Sequence, residues 1–392
     1  MRVAGGKGSE SVIAKINSVG LNGMEGYCIT VETDVSGGIP SWEVVGLPDT
    51  AVKESKERIR SAVKSAGFSV PGKRMVINLA PADVKKEGAC LDLPIALGIL
   101  AGSEQMEIPQ SEKSVFLGEL SLDGSVHRVN GALPMAITAY QSGLTNIYVP
   151  EENAQEAAVV AGATIYGVKS MEQLSRHLRG EELISPAKVD VDALFRMAAE
   201  STLDFSDVRG QQNAKRALEV AAAGGHNLLL IGPPGSGKTM LAQRIPSILP
   251  DLTFEEALDV TKVHSIAGRL PRNLPMVLSR PFRSPHHTVS AVGLTGGGAG
   301  TPKPGEISLA HHGVLFLDEL PEFRKDALEV MRQPLEDGAV TITRAGGTFS
   351  YPCNIMLVAS MNPCPCGYYG DQNHDCTCSP NQISRYLGKV SG

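Results

Sequence analysis

The chain has 392 residues, with 36 Lys and Arg against 42 Asp and Glu, giving a net charge of −6. That length accommodates two domains or three, each large enough to bury its own core, and 42% hydrophobic with 20% charged residues excludes wholesale disorder. The acidic balance excludes a protein that coats nucleic acid through global charge, though not a local basic surface, and no apolar run is long enough to span a membrane. The N-terminus has no apolar h-region of a secretory signal, so the seven cysteines point to a reducing cytoplasm.

The first half alternates strand and helix signals. Strands are predicted at Ile29–Val35 and Met75–Ala80 from their β-branched content. Between them, Thr50–Ala66 spaces Val52, Ile59 and Val63 among charges and reads as an amphipathic helix ending at Gly67. Leu93–Ala101 is a continuous apolar run, a buried helix or strand. Val115–Leu122 and Ser125–Val129 flank Asp123-Gly124, a two-residue hairpin signal. A helix at Ala132–Gln141, a strand at Asn146–Val149, a helix at Glu152–Ala161, a strand at Thr164–Val168 and a helix at Met171–Arg179 complete an α/β domain over residues 1–182. Residues 183–203 read as a linker. A second domain spans 204–392, where the helix Gln211–Ala223 leads into the strand Asn227–Ile231.

Gly232, Pro233, Pro234, Gly235, Ser236, Gly237, Lys238 and Thr239 match the P-loop pattern G-x-x-x-x-G-K-[ST], after an apolar strand and before a predicted helix Lys238–Leu249. Backbone N–H groups must turn inward around a phosphate there, at dihedrals a Cβ resists. Lys238 would reach the β- and γ-phosphates and Thr239 would ligate Mg²⁺. Gly313–Leu320 is an apolar strand that delivers Asp318 and Glu319 to a sheet edge: Asp318 to hold Mg²⁺ through water, Glu319 to polarise the attacking water. Ile355–Asn362 is a second apolar strand, ending in the amide of Asn362, which can bond the γ-phosphate and the water.

Cys364, Cys366, Cys376 and Cys378 form C-x-C, nine residues, C-x-C. Four thiolates at such range can close a tetrahedral Zn²⁺ site, with His374 as a substitute ligand. Four reduced thiols in a loop are the plain alternative. A zinc site would brace the loop beyond Asn362 and present Tyr368 and Tyr369 for stacking on bases.

These pieces, in this order, resemble an AAA+ ATPase with a parallel sheet. More narrowly, Phe282-Arg-Ser-Pro-His-His287, Pro304-Gly-Glu-Ile-Ser-Leu-Ala310, Leu317-Asp-Glu-Leu-Pro-Glu-Phe323 and Gln333-Pro-Leu-Glu-Asp-Gly338 resemble the magnesium-chelatase-like ATPases of the ComM/YifB family. The resemblance implies an ATP-driven hexameric ring acting on DNA, a branch-migration helicase in recombination of transforming DNA. The ATPase subunit of a metal chelatase is the alternative, as is a nucleotide-binding module without turnover. The residues add one hint of their own. Over 262–312, Lys262, Arg269, Arg272, Arg280, Arg283 and Lys303 stand against Glu306, a balance of +5, and read as a mobile basic loop suited to a DNA backbone.

Gly118-Glu-Leu-Ser-Leu-Asp-Gly-Ser-Val126 resembles the proteolytic domain of Lon-type proteases, which pairs a Ser nucleophile with a Lys. The corresponding positions fall at Cys90 and near Leu133, where no amine is available, so the domain is predicted to be non-proteolytic. In the resembled family the arginine finger and helical lid follow the sequence corresponding to Gln382–Gly392, so a chain stopping at Gly392 is expected to bind nucleotide and turn it over weakly.

Overall fold

The computed structural model describes residues 13–197, 203–272, 274–298, 300–344 and 347–390. Part of the predicted linker (198–202), Ala299 within the basic tract 262–312 and the terminal Ser391-Gly392 lie outside the described residues. The chain divides into two compact units, residues 1–189 with 271–275, and residues 190–270 with 276–392.

The first unit is built on strands β1 (Ala14–Asn22), β2 (Glu25–Ser36), β3 (Ser41–Val45), β4 (Arg74–Ala80), β5 (Ser114–Phe116), β8 (Asn146–Pro150) and β9 (Thr164–Val168), in the order β3-β4-β2-β1-β5-β8-β9. The β1–β2 and β2–β4 pairs are antiparallel and the other pairs parallel. Helices α1 (Thr50–Ser65), α2 (Asp92–Gly102) and α5 (Met171–Leu178) contribute to one core with Ile16, Ile77 and Phe116. Helices α3 (Ala132–Gln141) and α4 (Glu151–Ala157) contribute to another with Val115, Ile147 and Val149. Alternate residues of β5 and β8 thus feed opposite layers, as the period of a strand dictates.

The apolar run Leu93–Ala101 is a helix, α2, whose residues 92–100 are all buried. The hairpin is shorter than its sequence suggests: β6 (Glu119–Leu120) pairs with β7 (Val126–His127), joined by residues 121–125. Gly124 takes φ +86°, and Asp123 accepts from both the backbone N–H and the hydroxyl of Ser125, so local side-chain bonds replace a two-residue turn. Into the predicted linker, the Ala187 N–H donates to the Ile165 carbonyl at 2.8 Å.

The second unit opens with α6 (Val191–Met197) and α7 (Gln212–Gly224). Its parallel sheet runs β10 (Leu228–Ile231), β17 (Met356–Met361), β14 (Val314–Leu317) and β11 (Phe282–Arg283). All four residues of β14 are buried, since helices cover both faces of the sheet. Phe316, Val314 and Val358 pack with α7 and α8 (Lys238–Gln243). Leu315 and Leu317 pack with Leu294, Ile307 and Ala327 on the other side. Beyond the sheet lie α9 (Phe254–Ile266), α10 (Ala291–Thr295), α11 (Glu306–Leu309), α12 (Lys325–Glu329), α13 (Arg332–Asp337) and α14 (Pro380–Leu387). Two antiparallel hairpins join them: β12 (Gly296–Gly297) with β13 (Lys303–Pro304), and β15 (Ala339–Arg344) with β16 (Gly347–Pro352).

Two expectations are corrected here. The helix after the P-loop ends at Gln243 rather than Leu249, because Pro246 removes a backbone donor and the chain continues as a 3-10 turn, Ile245–Ile248. Among the described residues, 262–312 is not one continuous loop. It contains the end of α9, strand β11, helices α10 and α11 and the β12–β13 hairpin. β10 ends the sheet: among the described residues no strand pairs with its outer side, and Leu229 and Ile231 are 42% and 58% exposed.

Candidate active site

Strands β10, β14 and β17 run parallel, so their C-terminal ends open at one edge, where doubly wound sheets bind ligands. There, residues Pro234–Met240, Asp318, Glu319, Ser360, Met361 and Asn362 line a cleft of about 440 Å³. Every residue predicted for nucleotide chemistry borders this cleft except Gly232 and Pro233, which form the start of the loop and accept hydrogen bonds from Lys238.

The loop takes its shape from glycine. Gly235 and Gly237 have φ of +73° and +84°, and a Cβ at Gly235 would meet only open space, so dihedral cost and not crowding selects glycine there. The Gly232 N–H donates to Met361 O at 3.3 Å, which docks the loop on β17. Lys238 Nζ donates to the carbonyls of Gly232 and Pro233 at 2.8 and 3.0 Å and to Asn362 Oδ1 at 3.2 Å. Burial pushes its ammonium below the ordinary lysine value, opposed by the carboxylates of Asp318 and Glu319.

Thr239 Oγ1 donates to Asp318 Oδ2 at 2.7 Å, a hydroxyl and a carboxylate placed together. The other carboxylate oxygen accepts from the Ser360 hydroxyl and, at 3.1 Å, from the Glu319 N–H. Glu319 itself has φ +55°, the left-handed region, which turns its side chain out of the strand direction. Its Oε2 lies 3.4 Å from His287 Nδ1. A second cavity, of about 450 Å³, shares the walls Glu319 and Asn362 and brings in Arg385, Tyr386 and Lys389 from α14 and its C-terminal side.

The residues fit Mg²⁺ and a phosphate chain on two observations. The donor set is a hydroxyl plus a carboxylate, hard oxygen ligands suited to Mg²⁺. Ser236 Oγ is buried and has no hydrogen-bond partner among the described residues, a donor inside the loop.

Sequence reasoning missed Ser360, His287 and Gln211, whose Nε2 donates to Ser236 O at 3.4 Å. The His286-His287 pair stood in the sequence only as part of the motif Phe282–His287, with no role given to either ring, and the strand in front of it, β11, is two residues long.

The four clustered cysteines meet. Their sulfurs all lie within 4.8 Å of one another, and Cys364–Cys366, Cys364–Cys376 and Cys366–Cys376 are 3.3, 3.7 and 3.6 Å apart. These spacings exceed a disulfide bond by more than an ångström, and each thiol is free. The Cys366 thiol is pulled down to about 5, first by the Tyr368 backbone N–H and then by the Cys364 thiol. His374 is not part of the group. It stacks on Tyr368 at 4.7 Å and pairs with Asp371 at 3.6 Å.

Arg280 and Arg283 are committed to internal partners. Arg280 donates to the carbonyls of Pro250, Asp251 and His312 and pairs with Glu256, while Arg283 is bidentate to Glu306 at 2.6 and 2.8 Å. Arg269, Lys303 and, outside that segment, Arg344 are exposed. In the first unit, burial and the Asp92 carboxylate push the Cys90 thiol up to about 12, and Leu133 is fully buried in α3. A thiol at that value is almost wholly protonated at neutral pH.

Comparison with known proteins matches residues 204–392 to a family described as magnesium chelatase, subunit ChlI. Residues 31–153 match a second, described as subunit ChlI of Mg-chelatase. The chain is 44% identical to the competence protein ComM of Haemophilus influenzae over 382 residues, 97% of this chain and 74% of the relative. It is 45% identical to the uncharacterized protein YifB of Escherichia coli over 364 residues, 93% of this chain and 70% of the relative. The magnesium-chelatase 67 kDa subunit of Chlorobaculum tepidum is 30% identical over 165 residues, 41% of this chain and 23% of that protein. With the P-loop, the acidic strand end and the terminal Asn on one parallel sheet, and such identity over nearly all of its length, the chain belongs to the ComM/YifB family of magnesium-chelatase-like AAA+ ATPases.

Proposed function

We propose that the second unit binds ATP with Mg²⁺ and hydrolyses it to drive remodelling of DNA. The observation that carries the reading is the convergence of Lys238, Thr239, Asp318, Glu319 and Asn362 on one cleft. Lys238 holds the terminal phosphates by charge, and the inward N–H groups of the loop bind their oxygens. Bound Mg²⁺ supplies charge neutralisation on the β- and γ-oxygens. Thr239 and Asp318 are the side chains that would hold it. Glu319 orients the attacking water and draws off its proton, with His287 fixing the carboxylate in place. Asn362 bonds the γ-phosphate from just beyond the C-terminal end of β17.

The DNA reading draws on the name of the competence relative and on exposed cations at the two hairpins. Lys303 and Arg344 stand on β13 and β15, and Gly297 of β12 lies beside the Arg344 guanidinium. Assembly as a ring, hexameric in the resembled AAA+ motors, would line up several copies of this pair. DNA-stimulated ATP hydrolysis, lost in Lys238→Ala, tests the central claim; equal turnover in the variant refutes it. Lys303→Ala and Arg344→Ala should each weaken DNA binding and reduce its salt slope by about one unit without changing nucleotide affinity.

A first unit without proteolytic function fits Cys90 and Leu133 as they stand. The cysteine quartet has the donor set and spacing of a zinc site: a Zn–S bond of about 2.3 Å in a tetrahedron sets sulfurs about 3.8 Å apart.

A further inference from the structure

The quartet sits against the nucleotide cleft. Cys364 follows Asn362 by two residues, with only Pro363 between. The turn Cys364–Gly367 closes with the Gly367 N–H on Cys364 O at 3.0 Å, and Gly367 takes φ +89°. That turn lies directly on the P-loop: a Cβ on Gly367 would fall 2.5 Å from Cδ of Pro234 and 2.8 Å from its Cγ. Only hydrogen fits there. The second cysteine pair leads into Ser379, which caps α14 by a reciprocal pair of bonds with Gln382. Helix α14 then returns Arg385 and Tyr386 to the cavity beside Glu319 and Asn362.

Among the described residues no helix or strand lies between Met361 and Pro380. In that stretch only Cys364 and Gly367 are buried. A loop with so little apolar burial has few means of holding one shape, and a metal that ties four of its residues supplies the missing restraint. The Tyr369 N–H donates to Cys364 Sγ at 3.3 Å, the outer-shell contact that a metal-bound thiolate accepts.

We infer that a Zn²⁺ held by Cys364, Cys366, Cys376 and Cys378 is a brace for nucleotide binding, fixing Asn362 and Pro234 against each other so that ATP affinity depends on metal occupancy. The inference rests on the zinc and nucleotide readings above and adds the coupling between them. Zinc does no chemistry on the phosphate. It acts through the Gly367–Pro234 contact and through the position of Asn362.

The test uses the full chain. Metal analysis should find about one zinc per chain, and a fluorescent ATP analogue with Mg²⁺ should bind the zinc-loaded protein and bind Lys238→Ala about 10- to 100-fold more weakly. Release of zinc by an organomercurial and a chelator, followed by thiol reduction, should weaken that binding about tenfold, and added Zn²⁺ should restore it. Gly367→Ala should keep its zinc and lose affinity by a similar factor, which separates the contact from the metal. Circular dichroism checks that the stripped protein and the variant stay folded. Zinc present, with affinity within twofold after stripping and in Gly367→Ala, overturns the brace and leaves the zinc site standing. A chain purified without zinc, which binds none when it is added, overturns both. Failure of the zinc-loaded protein to bind the analogue overturns the nucleotide reading instead.

Discussion

Lys238 and Glu319 divide the proposed chemistry between charge and geometry. Removing the Lys238 ammonium deletes contacts of about 1.5–3 kcal/mol with charged oxygens, so Lys238→Ala should lower ATP affinity about 10- to 100-fold by calorimetry. Glu319→Gln should leave affinity intact and cut turnover by about 10²–10⁴. His287 touches Glu319 at 3.4 Å and acts through it. His287→Ala should lower kcat with KM unchanged, and the double variant with Glu319→Gln should be no slower than Glu319→Gln alone. Additive losses would show that His287 works independently of Glu319.

At the scale of elements, the start of β17 depends on a neutral histidine. His311 is buried, its Nδ1 accepts from the Asn354 N–H at 3.0 Å, and burial, helped by the neighbouring His312, lowers its pKa from 6.5 to about 4. The unfolded chain therefore takes up a proton first. Stability from this group is present above about pH 6.5 and is lost as the pH falls toward 4, on the order of a few kcal/mol. Urea midpoints measured across that window should fall, and fall less in His311→Gln. A flat profile in the wild-type chain would count against the buried neutral form.

The elements also show what was readable beforehand. The P-loop, the Asp318-Glu319 strand end and the Asn362 strand were legible because local pattern and function coincide in them. β1 was not, since Asn17, Ser18, Gly20 and Asn22 dilute its strand signal and its place depends on pairing with β2 and β5. Helix α9 carried a readable start, Thr253 and Glu256 in a reciprocal cap. The basic tract 262–312 misled for a different reason. Arg283 finds Glu306 and Arg280 finds Glu256, each more than twenty residues away, and sequence shows charges without showing which are already paired.

At the scale of the molecule, two compact units with separate cores should melt as two transitions. Only the transition of the second unit should move when ATP and Mg²⁺ are added, by an amount equivalent to about 2.7 kcal/mol at a hundred times the dissociation constant. Calorimetric scans with and without nucleotide check this, and a shift of both transitions would refute independent units. None of the described helices is long and apolar enough to cross a membrane.

The outer side of β10 carries a cost for anyone handling this chain. Among the described residues no strand pairs with that side, so backbone N–H and C=O groups face outward beside Leu229 and Ile231, with Val220 of α7 exposed at 51%. Such an edge is a template for another strand, from this chain or from a second molecule. Two copies meeting there would join edge to edge, each strand running beside the P-loop of its neighbour. Colloidal behaviour and nucleotide access would then be linked, since the strand that leads into the loop would also decide whether the protein stays dispersed at high concentration.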